Sequence, residues 1–578
     1  MPLTRPLVAA AFGLALLMPL TGRADEDAGA YLAARVAGSH DDYRQSATWY
    51  TRALIADPAN TTLMDGAITA QIALGNLEAA LAVAERMQGT GTETQVALLA
   101  LVAGKAQKGD FAGMLADIQA GKSVGKLMDN LTRAWAELGQ GKMSEATEEF
   151  DKLAAAPGMQ YFGQYHKALA LASVGDFEGA DKILSDHAAG GFQTQRRGVL
   201  AHVQILSQLE RDPDALTLLN AAFTGDADPT ITDLRTRLAA GETLPWTMAR
   251  NATDGMAEVF FTLASALNDE ADDNYTLLYA RIASTLRPDH TEALLLTAAL
   301  LEDLKQYDLA VETYARIAPA DGGYLVAEIG RARALQSADK TEAALEVLRA
   351  LSRSHGDLAT VHLALGDALR REERWDEAAA AYDAAIARAG PPRPEQWAIY
   401  YSRAIANERL KRWDKAEPDF RQALALNPDQ PQVLNYLGYS YLELNSNLDE
   451  ALQMIQRAVE LSPDSGYILD SLAWGLFRLG RYDAAVVPME KASLLEPVDP
   501  VVTDHLGDVY WATGRQMEAR FQWRRALSFA PEEADATRIR QKLDLGLDAV
   551  LAAEGAPSLQ EVAATEAARV PVPPKNDN

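Results

Sequence analysis

The sequence has no cysteine in 578 residues. That excludes thiolate zinc sites, Cys-ligated iron–sulfur clusters, cysteine nucleophiles and disulfide staples. Aromatic residues make up only 7%, and positive charge is scarce: 54 Lys and Arg stand against 81 Asp and Glu, a formal charge of −27. Such a chain is a poor partner for nucleic acid, because phosphate binding relies on Lys and Arg displacing counterions. Long apolar runs are missing too, except for Leu7 to Leu20 at the start. The 48% hydrophobic content nevertheless suits a folded body rather than a disordered chain.

The one apolar run reads as an export signal. Arg5 supplies a positive start, LVAAAFGLALLMPL follows, and Gly22-Arg23-Ala24 sets small residues at −3 and −1 before Asp25-Glu26-Asp27. An uncleaved anchor fits less well, since a span takes about 20 apolar residues and Pro19 interrupts this shorter run. The expectation is a signal peptide over 1–24, cleavage after Ala24, and a periplasmic chain at most peripheral to the outer membrane. No transmembrane span would remain after cleavage. Without a cysteine at the cleavage point it would not be a lipoprotein.

Catalytic constellations are equally scarce. The eight histidines form no H-E-x-x-H and no metal-ligand spacing. His355 and His362 lie seven apart, which fits a helix-end His and a hairpin His better than a ligand pair. Gly121-Lys122-Ser123 and Gly125-Lys126 lack the G-x-x-x-x-G-K-[ST] spacing and have no preceding strand. No G-x-S-x-G or strand-led G-x-G-x-x-G occurs. The expectation is a protein that is not an enzyme and uses no cofactor and no metal. An enzyme would need a reactive constellation hidden in residues 223–255.

What the sequence does have is a repeat, which should be sought before local structure. Pro428, Pro463, Pro497 and Pro531 close similar stretches, QALALNP, RAVELSP, KASLLEP and RALSFAP, at a period of 34 to 35. Before each proline stands the same ladder. In the last unit it is Leu506-Gly507, Tyr510, Gly514, Ala519, Trp523, Ala526, Pro531, and in the unit before it Leu472-Ala473, Leu476, Gly480, Ala485, Met489, Ala492, Pro497. Leu, Gly and Tyr at i, i+1 and i+4 share one face of a first helix, and Ala, a bulky residue and Ala at i, i+4 and i+7 share one face of a second. Small residues let the two helices approach closely, the glycine allows the turn, and the proline stops the second helix. One such hairpin cannot bury its apolar face alone, so hairpins must stack.

This ladder resembles the tetratricopeptide repeat (TPR). It continues upstream through Leu365-Gly366/Ala378/Tyr382/Ala385 and Ala404/Ala416/Phe420/Ala423, and in looser form to Ala34/Ser46/Tyr50/Ala53/Pro58. The resemblance implies an all-α fold, a TPR superhelical solenoid of roughly a dozen helical hairpins. The expected layout is a signal peptide over 1–24, a degenerate N-terminal arm over 25–222, a linker over 223–255 and a regular C-terminal arm over 256–531. A capping helix over 532–553 and a disordered tail over 554–578 complete it. Pro418 and Pro488 fall inside predicted second helices and should kink them.

By the same resemblance, positions 2, 5, 9 and 12 of each first helix point into a concave groove. Position 5 is Asn435, Asp470 and Asp504; position 9 is Tyr439, Trp474 and Asp508; position 12 includes Phe477 and Trp511. Aromatic rings beside short polar groups suit an extended peptide. The basic clamp of chaperone-binding TPRs is replaced here by neutral and acidic residues, so partners should be protein or extended peptide segments, basic or neutral rather than acidic. Leu434-Asn435-Tyr436-Leu437-Gly438-Tyr439, Leu469-Asp470-Ser471-Leu472-Ala473-Trp474 and His505-Leu506-Gly507-Asp508 are similar to phrases in large exported TPR proteins of proteobacteria. These include the lipoprotein adaptor of periplasmic carboxyl-terminal processing proteases. The resemblance implies an adaptor in the bacterial cell envelope with a periplasmic protease as candidate partner; the alternative is a structural organiser of envelope assembly with no delivered substrate.

Overall fold

The computed structural model describes residues 23–189, 196–223 and 229–569. The expected export signal falls almost wholly outside them; only Arg23 and Ala24 are described, at the start of helix Arg23–Ser39. Among the described residues there are thirty-two α-helices, one short 3-10 helix and no strand. The fold is all-α, built of consecutive antiparallel helix hairpins.

Local chemistry sets the hairpin ends. Second helices finish just before the terminal prolines, as in Trp413–Leu426 before Pro428 and Leu448–Leu461 before Pro463. Asp42, Asn60, Asp110 and Asp499 cap helices by accepting a backbone N–H, at 2.9 Å for Asp499 and Val502. Between first and second helix one residue takes a left-handed conformation. It is glycine at Gly480 and Gly514, with φ of 78° and 82°, but Lys305, Lys411 and Asn445 adopt it as well, with φ of 57°, 60° and 50°. The geometry of the turn is the constant, and glycine is its least strained occupant.

Within a hairpin a ring from the second helix sits where the first helix carries glycine. A Cβ at Gly366 would lie 2.6 Å from Tyr382, and one at Gly507 would lie 2.4 Å from Trp523. Tyr382 and Trp523 are themselves completely buried. The notch and the ring are thus one packing unit. Pro418 and Pro488 lie inside helices that run through them, Trp413–Leu426 and Tyr482–Leu495.

The chain divides into two compact units, one ending at Leu348 and the other starting at Arg349. The division therefore lies outside the expected linker of 223–255. Its described residues from 229 onward pack within the first unit, because they carry apolar anchors among the turn formers. Helix Pro229–Ala239 forms inside it, and Leu244, Met248 and Ala249 are buried. Ser207 Oγ accepts from the Leu244 amide at 3.0 Å, and Gln208 donates to its carbonyl at 2.6 Å.

In the first unit, helices Ala252–Leu267 and Asp273–Leu286 pack against the first helices of earlier hairpins, Thr61–Ala73, Gln95–Lys108, Lys126–Gly139 and Gln160–Ser173. Gly255 lies against the face of Trp135, where a Cβ would stand 2.2 Å from the ring. Thr253 donates to Ala106 O at 3.1 Å and Arg281 to Ala73 O at 2.9 Å. The wall that a groove would need is filled by the chain itself. A buried ionic cluster fixes this arrangement. Glu258, fully buried, accepts from Arg197 Nε at 2.9 Å and lies 3.1 Å from His290 Nε2, while Arg197 also reaches Glu292 at 2.7 Å. Burial alone would raise the Glu258 carboxyl, but Arg197 and His290 outweigh it and hold it well below the usual range. His166 is fully buried and its Nδ1 accepts from Trp135 Nε1 at 3.2 Å; burial pushes it down to about 4.

The second unit stacks hairpins from Ala359–Arg371 with Trp375–Arg388 to Pro500–Ala512 with Gln516–Leu527, and ends in helices Glu533–Leu545, Leu547–Ala553 and Leu559–Arg569. The last of these lies in the stretch expected to be disordered. It is held because Arg481 Nε donates to Glu566 at 2.7 Å and Tyr482 OH to Leu559 O at 2.9 Å. Residues 570–578 lie outside the described residues.

Two outcomes test this account. Gly507→Ala should lower the urea unfolding midpoint of the full chain, with overpacking against Trp523 costing about 1–3 kcal/mol. Lowering the pH from 7.5 to 5 should weaken the first unit, since His166 protonates more readily unfolded than folded and stability is lost as pH falls below about 6.5. The loss at pH 5 should be on the order of 2 kcal/mol. It should shrink in His166→Gln, which still accepts from Trp135 but cannot titrate, with unfolding followed by circular dichroism.

Candidate functional site

The expected wall residues all lie in the second unit, on first helices Pro431–Glu443, Gly466–Arg478 and Pro500–Ala512. Each helix turns its Leu-Gly or Leu-Ala face toward its own second helix, so positions 5 and 9 fall toward the neighbouring first helix. There the environments diverge.

At the C-terminal end the chain covers its own wall. Lys542 of helix Glu533–Leu545 is completely buried, and its Nζ donates to both oxygens of Asp504 and to Asp508 Oδ1, each at 2.7 Å. Trp523 Nε1 also donates to Asp508, at 2.9 Å, and the Trp523 ring lies 5.5 Å from the ammonium. Burial, with Asp508 beside it, pushes the Asp504 carboxyl up to about 6 even though Lys542 opposes the rise. Trp511 is nearly buried and donates to Asp548 at 2.8 Å. The expected groove is therefore shorter at this end. Asp504, Asp508 and Trp511 are engaged by the terminal helices, because an acidic wall at the end of a stack must be neutralised or left wet.

The middle is an aromatic stack. The Trp474 ring lies 3.9 Å from His505 and 4.9 Å from Phe477, near parallel to both. His505 Nδ1 is 2.9 Å from Asp470. Burial would lower the His505 pKa, but Asp470, Asp504 and Asp508 together raise it. Phe477 is buried and Trp474 half-buried. Both line a cavity of about 910 Å³ with Tyr482, Leu547, Leu551, Leu559 and Val562, between the hairpin turns and the terminal helices.

Asn435, Tyr439 and Asp470 meet in a separate cleft of about 190 Å³, which Tyr436, Tyr467 and Ser471 complete. The side-chain oxygen of Asn435 is buried without a hydrogen-bond partner. Burial raises the Tyr439 hydroxyl pKa, with Glu443 and Asp470 adding to it. Tyr467, half exposed, was not among the expected residues. Its signal was present, since it stands at position 2 of its repeat, one of the four inward positions. Tyr436 and Ser471 follow positions 5 and carried no comparable signal.

Among the described residues no group of three or more His, Cys, Asp or Glu could hold a metal ion, and no helix is long and apolar enough to cross a membrane.

Residues 329–394, 363–431 and 401–466 match the tetratricopeptide repeat family model. A TPR repeat-containing protein of Pseudomonas aeruginosa is 28% identical over 210 residues, covering 36% of this chain and 35% of that protein. A homologue of lipoprotein NlpI from Haemophilus influenzae is 39% identical over 93 residues, 16% of this chain and 29% of that protein. The chain thus spans about a third of the length of these curated relatives. A solved TPR protein from Parabacteroides merdae aligns with a TM-score of 0.36 and 17% identity over 44% of this chain and 98% of that one. The chain carries tetratricopeptide repeats and is related over part of its length to bacterial repeat proteins.

Lys542→Ala takes away the ammonium that pairs with Asp504 and Asp508, leaving only Arg538 at 3.7 Å from Asp508, and should cost about 3–5 kcal/mol. Because a stack unravels from its end, limited proteolysis of this variant should cut within 546–558 well before the hairpins upstream of Pro463 are attacked.

Proposed function

We propose that this chain is an exported, non-enzymatic scaffold that binds extended segments of other proteins along the uncovered part of its second-unit wall. The observation that carries the reading is the run Asn435, Tyr439, Asp470, Trp474 and Phe477. It brings rings and short polar groups together beside an open cleft and a cavity. Rings supply contact area with few rotors to freeze, and Asn and Asp can pair with main-chain amides. The excess of acid over base in the whole chain favours basic or neutral segments by long-range attraction.

The specific role proposed is presentation of envelope proteins to a periplasmic protease. Its support is the N-terminal signal pattern, together with likeness over a limited stretch to a protein named as a lipoprotein homologue. The structural-organiser reading draws on a different observation, the first-unit wall filled by helices Ala252–Leu267 and Asp273–Leu286. A body sealed this way suits a rigid spacer.

Crosslinking and mass spectrometry in native cells distinguishes these. Tyr439→Ala combined with Trp474→Ala should lose most captured partners at unchanged helical content, with a serine protease and its substrates among the proteins lost. Trp511 is left intact because it holds Asp548. A folded double variant with an undiminished partner set would remove the wall from consideration. A wild-type set without any protease would favour the organiser.

A further inference from the structure

The cleft between helices Pro431–Glu443 and Gly466–Arg478 has a definite chemistry. Three tyrosines, Tyr436, Tyr439 and Tyr467, line it with Asn435, Asp470 and Ser471. Asn435 is 8% exposed and Asp470 7%. One Asp470 oxygen is held by His505, and the Asn435 oxygen has no partner at all. A buried amide oxygen left unpaired costs free energy that a donor brought by a ligand would recover.

The neighbouring repeat indicates which donor fits. Asp504 occupies in its repeat the position that Asp470 occupies one unit earlier, at a spacing of 34. There the chain inserts its own Lys542, with Nζ at 2.7 Å from Asp504 and Asp508 and with the Trp523 ring beneath it. The wall position thus already takes an ammonium between carboxylate and ring where a terminal helix supplies one. In the upstream cleft no Lys or Arg is among the lining residues. Rings with a negative face, a carboxylate and an unpaired acceptor are the elements that hold a desolvated cation.

We propose that this cleft binds one lysine or arginine side chain of an extended partner segment. The cationic head lies against the tyrosine rings beside Asp470, and the Asn435 carboxamide, whose oxygen is buried and unpaired, turns toward it on binding. The proposal rests on the reading of this wall as a protein-binding surface and adds the residue type that the wall selects.

The test uses the full chain and two labelled peptides of equal length, an alternating Gly-Lys peptide and its fully Nε-acetylated counterpart, in fluorescence anisotropy at physiological ionic strength. Acetylation removes the charge while keeping the length of the side chain. The expected result is saturable binding of the lysine peptide, at least about tenfold tighter than the acetylated one. Asp470→Asn and, separately, Tyr439→Leu with Tyr467→Leu should each weaken it about tenfold, with circular dichroism melts confirming folded variants. Binding of the lysine peptide that survives both variants overturns the proposal, since it would be diffuse attraction to an acidic surface. Equal affinity for both peptides, lowered alike by Tyr439→Ala with Trp474→Ala, overturns the cation preference while leaving the protein-binding wall standing. No saturable binding of either peptide overturns the cleft assignment, and the crosslinking comparison then decides separately on the wall.

Discussion

Everything else in this molecule depends on one contact: a bulky side chain of a second helix seated on a glycine or alanine of the first. At Gly366 with Tyr382, and at Gly507 with Trp523, there is no room for even one more carbon. The contact consumes one face of the first helix and fixes its rotation. The opposite face, with positions 5 and 9, is thereby committed to a wall that the hairpin itself cannot cover. Whatever is on that wall must be met by water, by a partner or by another part of the chain.

The two units meet this constraint differently. In the first, a hairpin of the chain fills the wall, and the cost of burying Glu258 is offset by Arg197 and His290 around it. A buried pair of this kind gives geometric definition more than net stability, because desolvation consumes most of the Coulombic gain. In the second unit the end is covered, where Lys542 and Arg538 face Asp504 and Asp508 and the terminal helices fold back as far as Arg481. Upstream of that end, still within the second unit, Asn435, Tyr439, Tyr467 and Asp470 line a cleft that no terminal helix enters.

Much of this was legible in the sequence, for a specific reason. The hairpin contact and the turns are local, so their residues recur at fixed spacing, and the prolines at 428, 463, 497 and 531 mark the helix ends that the structure places there. The all-α fold follows. The filling of the first-unit wall was not legible, because helices Ala252–Leu267 and Asp273–Leu286 read as one more hairpin. The hint was Glu258 inside the apolar run Met256-Ala257-Glu258-Val259-Phe260-Phe261, an acid with no solvent face to occupy. Lys542 gave no such hint. In a helix taken for a charged cap, nothing in the spacing distinguished a buried lysine from exposed ones, and helix Leu559–Arg569 is anchored by residues about 80 positions earlier.

The sequence alone settled the repeating unit, its length and which face of each first helix meets its own second helix. These are set by contacts within about one period of the chain, which periodic spacing records. Which parts of the wall stay open was decided only by tertiary structure. Sealing depends on a hairpin and a terminal segment returning to helices far away in the chain, and such long-range returns leave no trace in local spacing. Asp470 and Asp504 occupy the same place in consecutive repeats, yet of these two Lys542 reaches only Asp504, since the terminal helix that carries it packs on the last hairpin rather than on the one before it.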